Sequence, residues 1–358
     1  MTLFDPVDEG FAALEEIRTA ALRALSPEVA VYLESGAGSE RTLRANREAF
    51  GRWTITPQPM SGVSAPRTDA ELLGIPLSVP VLTAPFGADG LFAAEGQLAV
   101  ACANAACGTA SIVPEVGTFS FEKVAGAAPA GARIAQLHPY ESFGYAAKRI
   151  RAAGYSALCV TVDCPMVGFR PRNKMIRFRP DYRTWSGNAT QDGTPSVNQM
   201  FRDGISEQSP PWTWDQLAEA AARQDLPWIA KGILTREAAL AAIQAGASAI
   251  YVSNHGGRQV DPAPASLDVL PEVAEAVGGR VPLLLDSGVR TGADVFLALA
   301  LGADAVVIGR LAAYGLAAAG ETGVRRTIEL ITEELRTLMI LAGAPDIASI
   351  TKAAIAPR

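Results

Sequence analysis

The chain has 358 residues, 49% of them hydrophobic and 19% charged, with 33 Gly and 24 Pro, a balance that excludes a disordered, collagen-like or disulfide-dense protein. Size scaling buries roughly 75% of the unfolded surface at this length, enough for one large domain or two ordinary ones. Against 31 Lys and Arg stand 37 Asp and Glu, a formal charge of -6, and no basic run is long enough to track a phosphate backbone, so nucleic acid is not an expected partner.

The N-terminus, MTLFDPVDEGFAALEEIR, is acidic and amphipathic and lacks the basic and continuously apolar regions of a secretory signal. No stretch of 18 uncharged apolar residues occurs elsewhere, so no membrane partner and a cytoplasmic location are expected. Two helices are predicted within residues 1–75, in DEGFAALEEIRTAALRAL and PEVAVYLESG. They form a helical cap that either covers the N-terminal side of the main fold or reaches over its mouth.

Eight short apolar runs then alternate with Ala-rich segments of helical spacing. The runs are VPVLTAP (from Val79), GTASIV (from Gly108), RIAQL (from Arg133), ALCVTVD (from Ala157), WIAKG (from Trp228), AIYVSN (from Ala249), VPLLLDSG (from Val281) and AVVIGR (from Ala305). Eight β and α units with continuously apolar strands predict an α/β protein, a closed (β/α)8 TIM barrel in one domain over 1–358. A doubly wound open sheet is the alternative, but no GxGxxG succeeds the first run. About 65 residues between Asp163 and Trp228 exceed an ordinary loop, so residues 164–227 are read as a lid inserted after the fourth strand. The four cysteines form no CxxC pair and are expected as free, buried thiols with no metal site.

In a barrel the chemistry gathers at the C-terminal ends of the strands. Those ends carry Gln136 and His138, Thr161 and Asp163, Lys231, then Ser253, Asn254, His255 and Arg258, then Asp286 and Arg290, and finally Gly309 and Arg310. Each has a structural explanation of its own, a cap, a surface ion pair or a core hydroxyl, but their convergence on one face does not. Glycines and arginines in DSGVRTGADV and IGR suit a phosphate. Lys231 suits either a Schiff base or a fixed cation beside an electron-rich ring. Its neighbouring glycine permits close approach of either. In SNHGGRQVD, His255 and Arg258 lie three apart, where a base and a carboxylate-binding fork can meet one small anion.

The segments KGILTREAALAAIQAGASAIYVSNHGGRQVD and LLLDSGVRTGADVFLALALGADAVVIGR resemble the FMN-dependent 2-hydroxy-acid oxidase/dehydrogenase family, which includes glycolate, lactate and hydroxymandelate oxidases. VYLESGAGSERTLRANREAF and TVDCPMVGFR add to the likeness, which runs from Tyr32 to the C-terminus. The resemblance implies FMN-dependent oxidation of an (S)-2-hydroxy acid to the 2-oxo acid, with O2 as acceptor and a homo-oligomer, tetramer or octamer. It implies that His255 is the base and that Asp163 orients it. Arg170 and Arg258 would clamp the substrate carboxylate, with Tyr32 adding a hydrogen bond. Lys231 would stabilise the reduced ring, which the backbone of Ala84, Pro85, Phe86 and Gly87 and the side chains of Gln136, Thr161 and Ser253 would contact. Asp286, Gly288 and Arg290 would hold ribityl and phosphate, and Gly309 and Arg310 the phosphate.

This chain departs from the family pattern twice. His138 stands where a Gln-Leu-Tyr motif has its tyrosine, and three readings are open: it donates a hydrogen bond in the same place, recognises an extra acidic or polar group on the substrate, or points away. Val113, Pro114 and Glu115 replace small hydroxyl residues at the end of the second strand. Phe86, Phe92, Phe169 and the Trp- and Arg-containing insertion suggest a substrate larger than glycolate. Three other readings stand beside the oxidase: a dehydrogenase passing electrons to a quinone or protein, an isomerase-like FMN barrel without net redox chemistry, and a binding protein on a retired barrel.

Overall fold

The structure is a computed structural model and describes residues 10–140, 142–188 and 211–358. Three helices lead in: α1 (Leu14–Ala24), α2 (Pro27–Glu34) and α3 (Arg41–Phe50). The first two fall where apolar spacing places them, α2 with Pro27 at its first position and Ser26 capping the Val29 N–H,. The third has no counterpart among the expected elements. Its sequence is polar, and Glu40 at its N-cap has φ 62° and no capping bond. Its cap comes from far along the chain: Asp261 accepts the N–H groups of Thr42 at 2.7 Å and Ser39 at 2.9 Å.

Strand β1 (Trp53–Ile55) pairs antiparallel with the last strand, Ile355–Pro357. The antiparallel pair β2 (Ala70–Leu72) and β3 (Ile75–Leu77) buries Leu72, Ile75 and Leu77 against Ala110, Ala157, Ala249 and Ala305, the first residues of four later strands. The hairpin thus closes the end of the barrel at which those strands begin. The cap of residues 1–75 is divided: the hairpin seals the bottom, α1 packs along the helix Arg310–Leu341, and the chain after α2 reaches the mouth.

The eight apolar runs become β4 (Val81–Thr83), β5 (Ala110–Val113), β6 (Ala132–Leu137), β7 (Ala157–Thr161), β8 (Trp228–Ile233), β9 (Ala249–Val252), β10 (Leu283–Leu285) and β11 (Ala305–Ile308). They pair in parallel into a closed barrel in sequence order, β11 returning to β4. Side chains alternate along a strand, so each strand carries one inward and one outward column. Leu82, Ile112, Ile134, Cys159, Ile229, Tyr251, Leu284 and Val307 share one buried cluster with the hairpin. Val81, Val113, Leu158, Ala230, Ile250, Leu285 and Val306 belong to another, with the surrounding helices.

After β7, residues 164–188 run through the short helix Pro171–Met175 along the barrel mouth. The helix Trp214–Ala221 then packs beside Phe143–Ala152 as an ordinary barrel helix, so the last part of the expected 164–227 insertion belongs to the barrel repeat itself. Residues 189–210 of that segment lie outside the described residues. All four cysteines are free thiols; Cys159 and Cys164 are buried as expected, whereas Cys102 and Cys107 are partly exposed. Among the described residues no helix is long and apolar enough to cross a membrane.

The remote cap of α3 makes a test. Burial raises the Asp261 carboxyl, but bonds from Thr42 and Ser39 together outweigh it and hold it below the usual carboxylate value. Asp261→Ala should cost about 1–2 kcal/mol in urea unfolding at neutral pH. The difference should fade as pH falls below the ordinary aspartate range, through the lower folded value, where the wild-type carboxylate is itself protonated.

Candidate active site

The inward columns that fill the barrel continue past its upper end, where apolar residues give way to polar ones. Two residues beyond Ile134 is Gln136, beyond Cys159 is Thr161, beyond Ile229 is Lys231, beyond Leu284 is Asp286 and beyond Val307 is Gly309. All five line a cavity of about 490 Å3 at the C-terminal mouth. Its size and place are those of a small-molecule site. Ala84, Pro85, Phe86 and Gly87 line it from the end of β4, His138, Arg170, His255, Arg258, Gly288 and Arg290 from the loops, Tyr32 from α2 and Arg310 from the start of the helix Arg310–Leu341. Ser253 is fully buried behind the wall instead. Its Oγ accepts the His255 N–H at 3.0 Å and stands 3.5 Å from Lys231 Nζ, supporting a residue held at φ 60°.

His255 Nδ1 lies 3.3 Å from both carboxylate oxygens of Asp163. The carboxylate receives the Nδ1 proton, which leaves Nε2 as the basic nitrogen. Burial and the Lys231 charge push His255 below its ordinary value, with Asp163 opposing, so the imidazole is neutral near pH 7. Burial raises Asp163, but the adjacent His255 and Lys231 more than reverse this and keep it ionised. Burial likewise lowers Lys231, yet Asp163 and Asp286 outweigh it and raise the ammonium above its ordinary value. A lysine so held is a fixed cation rather than a Schiff-base nucleophile, which needs the neutral amine. The glycine beside it serves another purpose than admitting a ligand. Gly232 sits at a register shift in β8 with φ 110°, and a Cβ there would come within 2.5 Å of the Asp163 side chain.

Among the described residues six cations line this cavity, Lys231, Arg170, Arg258, Arg290 and Arg310 with the exposed Lys174, against Asp286, and Asp163 stands beside His255. Burial and the Arg258 charge depress Arg170 to about 9. Burial with Arg258 and Arg290 does the same to Arg310, to about 9, and burial lowers Arg258 and Arg290. Such a surplus of buried positive charge is costly without anions. Part of the guanidinium valence goes to backbone: Arg310 donates to the carbonyls of Leu33, Ser35 and Gly256, and Arg258 Nη1 to those of Tyr32 and Ser35, all within 2.9 Å. These bonds pin the C-terminal end of α2 and Ser35 over the mouth and bring in Tyr32, whose ring stacks on Phe178 at 4.6 Å and lies 4.9 Å from the Arg258 guanidinium carbon. Asp286 accepts from Tyr251 at 2.8 Å and Ser287 at 2.6 Å.

On the other side His138, 4% exposed, pairs with Glu115, whose Oε2 is 2.9 Å from Nδ1. Burial pushes this imidazole down, but contacts with Cys164 and Glu115 and the Glu115 charge raise it to about 9. Tyr140 OH donates to the Cys164 carbonyl at 3.3 Å, and its side chain is not part of the cavity lining. Phe86 and Phe92 line the cavity, whereas Phe169, between the lining residues Gly168 and Arg170, is 62% exposed beneath Lys174 and sits beside the pocket without lining it. Phe178 and Trp185 also line it; the sequence points to the Trp-containing insertion only as a whole, because aromatics in an irregular segment carry no periodicity to single them out.

Comparison with known proteins gives a consistent picture. The profile of a family described as FMN-dependent dehydrogenase matches residues 21–357. A peroxisomal (S)-2-hydroxyacid oxidase of Arabidopsis thaliana is 40% identical over 95% of this chain and 94% of its own. An L-lactate oxidase of a Nostoc species is 39% identical over 89% and 91%. The crystal structure of a mandelate oxidase superposes with a TM-score of 0.89 at 33% identity, covering 98% of this chain and 99% of that one.

Gly232→Ala tests the Asp163–His255 arrangement independently of any ligand. The new methyl meets Asp163 in a backbone region costly for alanine, so stability should fall by about 1–3 kcal/mol. With the carboxylate displaced, His255 should titrate lower still, measured by histidine NMR.

Proposed function

The chain belongs to the FMN-dependent dehydrogenase family, and from that premise we propose that the cavity holds FMN beside an (S)-2-hydroxy acid, which it oxidises to the 2-oxo acid. The single observation that carries this reading is a neutral imidazole, fixed through Nδ1 by Asp163 and set among a surplus of cations. FMN and a carboxylate substrate are the anions that such a site calls for. Arg290, Arg310 and the chain at Gly288 and Gly309 would hold the phosphate, Asp286 the ribityl hydroxyls, and Ala84 to Gly87, Gln136 and Thr161 the ring; Ser253 would support it from behind. When bound, FMN supplies a two-electron acceptor that O2 restores.

The protein's own residues do the remaining work. Arg170 and Arg258 orient the carboxylate, with Tyr32 beside them. His255 Nε2 takes a proton from the substrate, from the 2-hydroxyl if hydride leaves C2 or from C2 itself otherwise. Asp163 stabilises the imidazolium that results. Lys231, held as a cation, stabilises negative charge accumulating on the ring. Tyr32, Phe178 and Trp185 provide an apolar wall for a substrate side chain larger than that of glycolate, with the segment after β7 as a lid over it. The proposal includes a homo-oligomer, tetramer or octamer, in the cytoplasm; family membership supports the assembly and light scattering checks it.

An anaerobic titration with 2-hydroxy acids from glycolate to mandelate should bleach the flavin band near 450 nm (roughly where free flavin absorbs) with at least one acid, and air should restore it. Persistent colour with every acid counts against the reading, and bleaching that air does not reverse counts against O2. His255→Ala should keep FMN while slowing reduction roughly 100- to 10,000-fold. In the wild type, reduction should rise with pH through a step below the ordinary histidine range, as the imidazolium becomes the neutral base.

A further inference from the structure

The end of β5 presents a charged group that this mechanism does not use. Pro114 has no N–H to extend the strand, and the next residue, Glu115, is 4% exposed in the wall between β5 and β6. It is held from three sides. Its N–H donates to Gln136 Oε1 at 3.2 Å, its carbonyl accepts from Asn188 Nδ2 at 2.9 Å, and its Oε2 accepts the His138 backbone N–H at 2.9 Å. The same Oε2 lies 2.9 Å from His138 Nδ1. Gln136 Nε2 also approaches Nδ1, but at 3.4 Å, so the shorter carboxylate contact decides that Nδ1 carries a proton. Among the described residues the other titratable groups that face it are Cys164, whose side chain reaches the imidazole from the end of β7, and Tyr140, whose ring stacks on His138 at 5.6 Å.

We propose that Glu115 holds His138 as a buried imidazolium whose Nε2–H donates to an anionic oxygen of the bound hydroxy acid, three strands round the barrel from the neutral base His255. The two histidines then work in opposite states: one accepts a proton from the substrate, the other keeps its own and supplies charge. His138 is a catalytic residue in this scheme and Glu115 a positioning residue. The proposal rests on the cavity's being the hydroxy-acid site.

The chain contains only two histidines, so holoenzyme labelled at histidine 13Cε1 gives two imidazole signals, assigned with His138→Phe. One signal, His255, should titrate below the ordinary value of about 6.5 and the other well above it. Glu115→Gln should bring the high signal down by about one unit or more toward that ordinary value, leaving the low one in place. Glu115→Asp, which keeps the charge with a shorter reach, should move it less. Binding of the 2-oxo acid product to oxidised holoenzyme, monitored by perturbation of the flavin band, should weaken about tenfold or more in His138→Phe at pH 7. The wild type should lose the same factor as pH rises through the high titration, and Glu115→Gln should lose it earlier. A His138 signal at or below the ordinary value, or an alkaline loss of binding unchanged in His138→Phe, overturns the proposal. If the high titration is found but no hydroxy acid bleaches the flavin, the dyad stands and the substrate assignment falls. If bleaching occurs without the high titration, the dyad falls alone.

Discussion

Closure of eight parallel strands imposes a two-residue alternation on every strand at once, and the rest of the molecule depends on it. The inward column must be apolar where neighbouring columns meet in the barrel interior, as at Leu82, Ile112, Ile134 and Leu284. Above that layer the column cannot stop, so the next inward positions open into the mouth. There the same parity that buries Ile229 presents Lys231, and the parity that buries Leu284 presents Asp286. The cavity is therefore the top layer of the core, with polar residues at positions that have lost their apolar partners.

Charge inside this layer is arranged so that each group sets the state of the next. Lys231 lowers His255 and helps to ionise Asp163, and Asp163 in turn keeps Lys231 charged. The Glu115 carboxylate acts on His138 in the reverse direction. Two residues of one type thus differ in state because their neighbours differ in sign, with burial common to both. The arginines carry the remaining imbalance, and it is anions from outside the chain that resolve it.

The same arginines join the barrel to the segment before it. Carbonyls of Tyr32, Leu33 and Ser35 take the hydrogen bonds of Arg258 and Arg310, which binds the mouth closed on one side and places the Tyr32 ring. Asp261, at the end of the SNHGGRQ-D motif, contributes by capping α3 rather than by meeting a ligand. One short loop therefore supplies an imidazole, a guanidinium and a helix cap, each at a fixed place in its spacing.

Local sequence determined what depends on near neighbours: the apolar runs, their polar ends, the first two helices and the family motif from Lys231 to Asp261. It also marked His138 and Glu115 as departures. It did not show them as a pair, because twenty-three residues and a whole helix separate them in the chain and only the parallel pairing of β5 with β6 brings them to 2.9 Å. The third helix escapes a local reading because its cap lies 219 residues away. Gly232 reads as space for a ligand, and the fold fills that space with Asp163. Composition and periodicity report which residues must be buried, but a residue's charge state and its partner depend on distances across the barrel, and those exist only once it has closed.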